Sequence, residues 1–206
     1  ASGISRGDGT TLARTLRSRA TTVLNRVLNL ETGSLAAEAA LKMILARFYR
    51  SEAGGLAPKY AGRKPVVVVL GDDEGGLEAN YHGTTLLTQV MRGMWPEMAG
   101  ILEKSGLFTV RAVRPNNLND LEEVFARWER PPYKIAGFFH ELVLMNYGAV
   151  RLSKGFIRRA YALCRKHDVP TVCDEIQSCV WSPELYLYRE YGVKPTFVVV
   201  GKGFPG

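Results

Sequence analysis

Five short runs of apolar, mostly β-branched residues punctuate this chain: Val66 to Leu70, Phe108 to Val113, Ile135 to Phe139, Thr171 to Cys173 and Phe197 to Val200. A strand that is apolar at consecutive positions has no side to turn to water, so it must be covered on both faces. Segments of helical period lie between the runs. Leu118, Leu121, Phe125 and Trp128 recur at helical spacing behind Asn117 as a cap, and Phe156, Ala160, Leu163 and Cys164 do so behind Ser153. Ser182-Pro183-Glu184 predicts a further helix start, with proline at the first helical position and Gly192 closing the helix. Strand and helix in alternation predict an α/β fold, a doubly wound three-layer α/β/α arrangement around a mostly parallel sheet.

In such sheets ligands bind outside the carboxyl ends of the strands. Three ionisable residues stand there: Glu141 after Ile135 to Phe139, Asp174 after Thr171 to Cys173, and Lys202 after Phe197 to Val200. Each pair is separated by enough chain for one crossover helix, so the three are expected on one edge of the sheet. A charge at a strand end often does no more than meet water, and Lys202 reads equally as a solvated turn residue. Its place between Gly201 and Gly203 also suits chemistry, because partial burial makes a lysine amine nucleophilic toward carbonyls.

A second locus lies upstream. Thr32-Gly33-Ser34 precedes a segment, about Leu35 to Tyr49, that is apolar nearly all round and is expected to be a buried helix. The start of such a helix offers unpaired N–H groups and the positive end of its dipole, which suits a phosphate. The plain alternative is that Ser34 only caps the helix.

Composition narrows the function classes. At 206 residues and 46% apolar content the chain has the makings of one large globular domain. Its net charge of +7 is spread over helices, as in Arg158, Arg159, Arg165 and Lys166, without a nucleic-acid motif or interleaved aromatics. Those four residues read as the solvated face and last turn of one helix. No apolar run approaches the roughly 18 residues of a membrane span, and the amino terminus lacks a signal-peptide pattern. Cys164, Cys173 and Cys179 form an odd set without metal-ligand spacing, which points to a reducing cytoplasm. Asp72-Asp73-Glu74 reads as a solvated loop insertion. The chain stops in a Gly-rich turn after an apolar strand, and is therefore expected to be a fragment.

These loci carry a family resemblance. Glu31-Thr32-Gly33-Ser34-Leu35-Ala36-Ala37-Glu38-Ala39-Ala40 resembles the Ser-Gly-Thr-Glu-Ala-x-Glu-Ala-Ala segment of the class III aminotransferases, pyridoxal-phosphate enzymes of fold type I. Tyr81-His82-Gly83 resembles their Tyr-His-Gly turn, Asp174-Glu175-Ile176-Gln177 their Asp-Glu-Val-Gln motif, and Gly201-Lys202-Gly203 their Ala-Lys-Gly lysine. Glu141 matches the acid of their Glu-Pro pair. The four motifs, in the family's order, cover most of the chain from about Thr10 onward.

The resemblance implies that residues 1–206 are part of the cofactor-binding large domain, with a carboxyl-terminal small domain outside this chain. It implies pyridoxal 5'-phosphate as cofactor and Lys202 as the residue that forms the Schiff base and moves the proton. Asp174 would hold the pyridine nitrogen in its protonated form. Gln177 would bond the phenolic oxygen, Tyr81 would lie against the ring face, and Gly33 and Ser34 would take the phosphate. Glu141 would stand beside Asp174, and His82 is expected to be no more than a turn residue. The implied partners are a small-molecule amino donor, a carbonyl acceptor and a second subunit in a homodimer, with neither nucleic acid nor membrane.

Three departures fall on the family's substrate side. Leu35 replaces a glutamate, Leu144-Met145-Asn146 replaces Gln-Gly-Glu, and Ser178-Cys179-Val180-Trp181-Ser182-Pro183 stands where a Gly-Arg-Thr-Gly stretch belongs. Cys179 and Trp181 could line a pocket for a larger or more apolar substrate, or pack between helix and sheet. A same-fold aminomutase, racemase or decarboxylase uses the same cofactor motifs. A non-catalytic scaffold is the alternative from another class, and it predicts damage at Lys202 or Asp174, both of which are present.

Overall fold

The structure, a computed structural model, describes residues 24, 26–50, 57–71 and 82–202. Tyr81, the acidic run at 72–74 and Gly203 lie outside the described residues. Helix α1 (Gly33–Leu45) leads into β1 (Lys64–Leu70), then α2 (Leu86–Met91), α3 (Pro96–Ser105), β2 (Thr109–Val113), α4 (Leu118–Trp128) and β3 (Tyr133–Glu141). The short β4 (Val143–Leu144) and β5 (Val150–Arg151) pair antiparallel, and α5 (Lys154–Lys166), β6 (Thr171–Asp174), α6 (Tyr188–Tyr191) and β7 (Phe197–Val199) follow. The main sheet runs β2-β1-β3-β6-β7, with every neighbouring pair parallel.

The reason for uniformly apolar strands is visible in β1. Val66, Val68 and Leu70 belong to one core, with Leu121, Phe125 and Trp128 of α4 and Phe156, Ile157 and Ala160 of α5. Val67 and Val69 belong to the other, with Ala40, Leu41 and Ile44 of α1 and Met91 of α2. Alternate residues of one strand thus bury themselves in different layers. The expected three-layer α/β/α architecture is the one observed.

Two expected caps hold as read. The Asn117 side chain accepts from the Asp120 N–H, and the Ser153 hydroxyl oxygen from the Phe156 N–H. Arg158, Arg159, Arg165 and Lys166 are exposed on α5, as the solvated-face reading required.

Three local readings change. The cap of α1 is Thr32, whose Oγ1 accepts from the Leu35 N–H, so Ser34 sits inside the first turn with its hydroxyl released for other work. The helix ends at Leu45 rather than Tyr49, and Leu35 and Met43 are exposed, so it is not buried all round. No helix starts at Pro183. Leu185 takes a left-handed backbone conformation at φ 73° and Leu185 N–H closes a tight turn onto the Ser182 carbonyl. The helix begins only at Tyr188, and Gly192 does close it, at φ 67°.

Charge gathers at the amino ends of the strands, away from the strand ends singled out above. Arg47, Lys59 and Tyr60 all reach the Asp168 carboxylate, and Lys134 pairs with Glu129 in a nearly buried bridge beside them. Among the described residues no helix is long and apolar enough to cross a membrane, and no group of His, Cys, Asp and Glu is arranged to hold a metal.

Candidate active site

Parallel pairing fixes the geometry at the carboxyl edge. Glu141 is the last residue of β3 and Asp174 the last of β6, and the two stand directly opposite in register. Lys202 follows β7, the next strand over, three residues beyond Val199, the last residue of that strand. The expected convergence of the three strand ends is therefore present in the fold. Glu141 and Asp174 are each 5% exposed, whereas Lys202 is exposed.

Asp174 is held from two directions. Its Oδ1 accepts from the Ile176 N–H at 3.0 Å, and its Oδ2 lies 3.1 Å from His82 Nδ1. His82 is itself only 2% exposed and meets Phe139 edge to face. The reading of His82 as a mere turn residue is overturned: it is the side-chain partner of the central carboxylate. With Asp174 accepting, the imidazole proton sits on Nδ1 and the ring orients the carboxyl plane. The available signal was its place in the Tyr81-His82-Gly83 motif.

Ser34 Oγ accepts from the Thr84 N–H at 2.9 Å and lies 3.3 Å from Thr84 Oγ1. Gly83 makes this approach possible. It takes φ 133°, and a Cβ there would fall 2.6 Å from the Ser34 Cα. Gly33 is equally tight, since its Cβ would meet Ile176 Cδ1 at 2.4 Å. The turn after Asp174, the start of α1 and the loop at 82–84 are thus locked together through small residues. Within the first turn of α1, Thr32 already takes the Leu35 and Ala36 N–H groups. Among the described residues the Gly33 and Ser34 N–H groups take no part in these bonds and suit an anion, while the Ser34 hydroxyl faces Thr84 Oγ1 and can act as donor or acceptor.

The third buried acid, Glu175, has a different task. Both its oxygens point away from the edge, accepting from Leu187 N–H at 2.8 Å and Tyr188 N–H at 2.6 Å, so it caps α6 from inside the core. Burial raises its pKa to about 7 despite these bonds. Gln177 lies half-buried in the turn that follows. Cys179 is buried with its thiol 3.9 Å from the Gly201 carbonyl, and Trp181 is half exposed. Of the substrate-side departures, Leu144 is core, while Met145 and Asn146 are exposed.

The class III aminotransferase family model matches residues 7–206. The chain belongs to that family. Pyridoxal 5'-phosphate is the cofactor of class III aminotransferases, and the residues here fit it: a helix start, a cradle that a Cβ would fill, and a buried carboxylate at the strand ends. Among its relatives, this aminotransferase-family chain is 25% identical over 185 residues to an ornithine aminotransferase of Emericella nidulans, covering 87% of the chain and 38% of the relative. It is 30% identical over 151 residues to a glutamate-1-semialdehyde 2,1-aminomutase of Syntrophobacter fumaroxidans, covering 71% of the chain and 33% of that protein. An omega-transaminase from Sphaerobacter thermophilus superposes over the whole chain and 44% of its own, with TM-score 0.69 at 17% identity, which shows the shared fold. The class III chain thus spans well under half the length of these relatives.

Proposed function

We propose that the protein containing this chain is a pyridoxal-phosphate-dependent aminotransferase that moves an amino group between a small-molecule amino donor and a carbonyl acceptor. The observation that carries the reading is the placement of Glu141, Asp174 and Lys202 at the ends of three neighbouring parallel strands, with the Gly33-Ser34 helix start locked against the same turn. In this reading the protein acts in the cytoplasm as a homodimer, and this chain is part of its large domain.

When bound, the cofactor supplies an aldehyde that condenses with primary amines and a ring that withdraws the electron pair released at the substrate carbon. This chain's residues do the rest. The Gly33 and Ser34 N–H groups and the Ser34 hydroxyl hold the phosphate. Asp174, oriented by His82 and Ile176, would hold the ring nitrogen in its protonated form, a charge that a neutral partner could not sustain. Gln177 would donate to the phenolic oxygen, and Tyr81, outside the described residues, is assigned to the ring face by its motif alone. Lys202 would provide the primary amine that holds the cofactor and the base that takes and returns the proton.

The test is borohydride reduction of the full-length protein with pyridoxal phosphate, followed by peptide mapping. The expected result is one added phosphopyridoxyl group on Lys202, absent in Lys202→Ala while reversible cofactor binding survives in part. Covalent fixation that persists in Lys202→Ala would overturn the assignment. Similarity to the aminomutase favours one second reading, in which the amino group returns to the same carbon skeleton. Transfer of isotopic nitrogen to a separate carbonyl acceptor distinguishes the two.

A further inference from the structure

The mechanism above leaves Glu141 with little to do, yet its surroundings are unusual. Its side chain is buried, and Oε2 has no hydrogen-bond partner among the described residues. The carboxyl receives one backbone bond, from Met145. His140, its neighbour on β3, places Nδ1 on the Glu141 carbonyl rather than on the carboxyl. Across the sheet stands Asp174, which has already taken both His82 and the Ile176 N–H.

Two carboxyl groups in adjacent register, both withdrawn from water, do not both carry charge at little cost. Asp174 is the better bonded of the two, so the group left to remain neutral is Glu141. Burial first, and then the facing Asp174, raise the Glu141 pKa to about 9, against smaller opposing pulls from the Met145 backbone bond and then Lys202. Its proton belongs on Oε2, the oxygen that accepts nothing. A buried O–H without an acceptor is costly in a resting fold, and is satisfied when a ligand brings the acceptor.

We propose that Glu141 is a neutral carboxylic acid in the resting site and that its Oε2 hydroxyl is donated to an anionic oxygen of the bound molecule. The donation rests on the cofactor reading above; the protonation does not. The oxygen belongs either to the cofactor ring or to the carboxylate of an amino-acid substrate.

Isotope-edited infrared spectroscopy of the full-length protein, with 13C-labelled glutamate, tests both parts. Without cofactor at neutral pH, a carboxylic acid band that disappears in Glu141→Gln is expected; its absence from the wild type overturns the proposal. The ligand probes are pyridoxal phosphate, phosphopyridoxyl-ethylamine and phosphopyridoxyl-β-alanine, with binding followed separately by tryptophan fluorescence. A band shift with all three assigns the oxygen to the cofactor, and a shift with the β-alanine conjugate alone assigns it to the substrate. Binding without any shift overturns the donor role. If none of the three binds, the cofactor reading fails and takes the donor role with it, while the acid band still reports the proton on Glu141.

Affinities for the conjugates give a second readout. Glu141→Gln keeps a neutral donor and is expected within about threefold of wild type, whereas Glu141→Leu loses roughly ten- to hundredfold. Wild-type affinity should fall on the alkaline side as the acid ionises, and Glu141→Gln should lack that fall. Equal losses in the two variants, both folded by circular dichroism, would overturn the donor role.

Discussion

His82 Nδ1 lies 3.1 Å from Asp174 Oδ2, and neither side chain is open to solvent. The contact joins the loop before α2 to the end of β6, so the orientation of the central carboxylate depends on a residue 92 positions away in sequence. Removing the ring leaves the carboxylate buried with, among the described residues, the Ile176 N–H as its remaining hydrogen-bond donor. His82→Ala is expected to cost about 2–4 kcal/mol by urea unfolding and to weaken pyridoxal phosphate binding more than a surface histidine change does. His82→Asn, which retains a short donor, should recover part of both losses. If His82→Ala matches wild type in stability and affinity, the pairing carries no weight.

The two cradle glycines should respond differently to alanine. At Gly83 the new Cβ meets the Ser34 backbone, and the residue is held at φ 133°, so neither side can yield. At Gly33 the obstacle is the tip of the Ile176 side chain. Gly83→Ala is therefore expected to lower stability by several kcal/mol and abolish phosphate-dependent binding, while Gly33→Ala costs about 1–3 kcal/mol and is partly rescued by Ile176→Ala. The double-mutant cycle in urea is the check. An uncoupled pair would contradict the geometry.

Glu175 caps α6 from inside the core, and its replacement exposes the consequence. Glu175→Ala strands the Leu187 and Tyr188 N–H groups and should cost about 2–5 kcal/mol. Glu175→Gln keeps one acceptor and should cost less than half as much. Hydrogen exchange at the Leu187 and Tyr188 amides locates the damage, which should be confined to residues near α6.

Buried titratable groups set the pH profile of the protein without cofactor. Burial lowers the His140 pKa to about 3, so the unfolded chain takes up a proton below about pH 6.5 that the fold refuses until about pH 3. Stability from this group is full above pH 6.5 and is lost on acidification, by up to about 1.4 kcal/mol per pH unit. Glu175 and Glu141 have the opposite sign. Their pKa values are raised to about 7 and about 9, so the fold keeps protons that the unfolded chain releases near pH 4.5, and their stabilisation is lost as pH rises through those values. Urea midpoints should peak near pH 5 and decline toward pH 9, with Glu141→Gln flattening the alkaline limb. A profile flat from pH 5 to pH 9 would count against burial of these acids in neutral form.

Much of the fold was legible because burial on two faces leaves a local trace. The five apolar runs correspond to β1, β2, β3, β6 and β7, and the Asn117 and Ser153 caps act within three residues of their targets. Where the partner is distant the trace fades. Pro183 carries every local mark of a helix start, but the Glu175 carboxylate reaches the Leu187 and Tyr188 N–H groups and the helix begins there instead. Ser34 reads as a cap, yet Thr32 takes that place and Ser34 turns to Thr84.

By itself the sequence determined the layered α/β architecture, the order of the motifs and the candidacy of Glu141, Asp174 and Lys202, because strand periodicity and strand-end chemistry are written along the chain. Tertiary structure alone decided that Asp174 is bonded to His82, that Gly83 must admit Ser34, and that Glu141 faces Asp174 with one oxygen unmatched. Those outcomes depend on strand register and on the depth of burial. Both are set by how distant segments pack, and register and burial together decide which of two neighbouring acids keeps its proton.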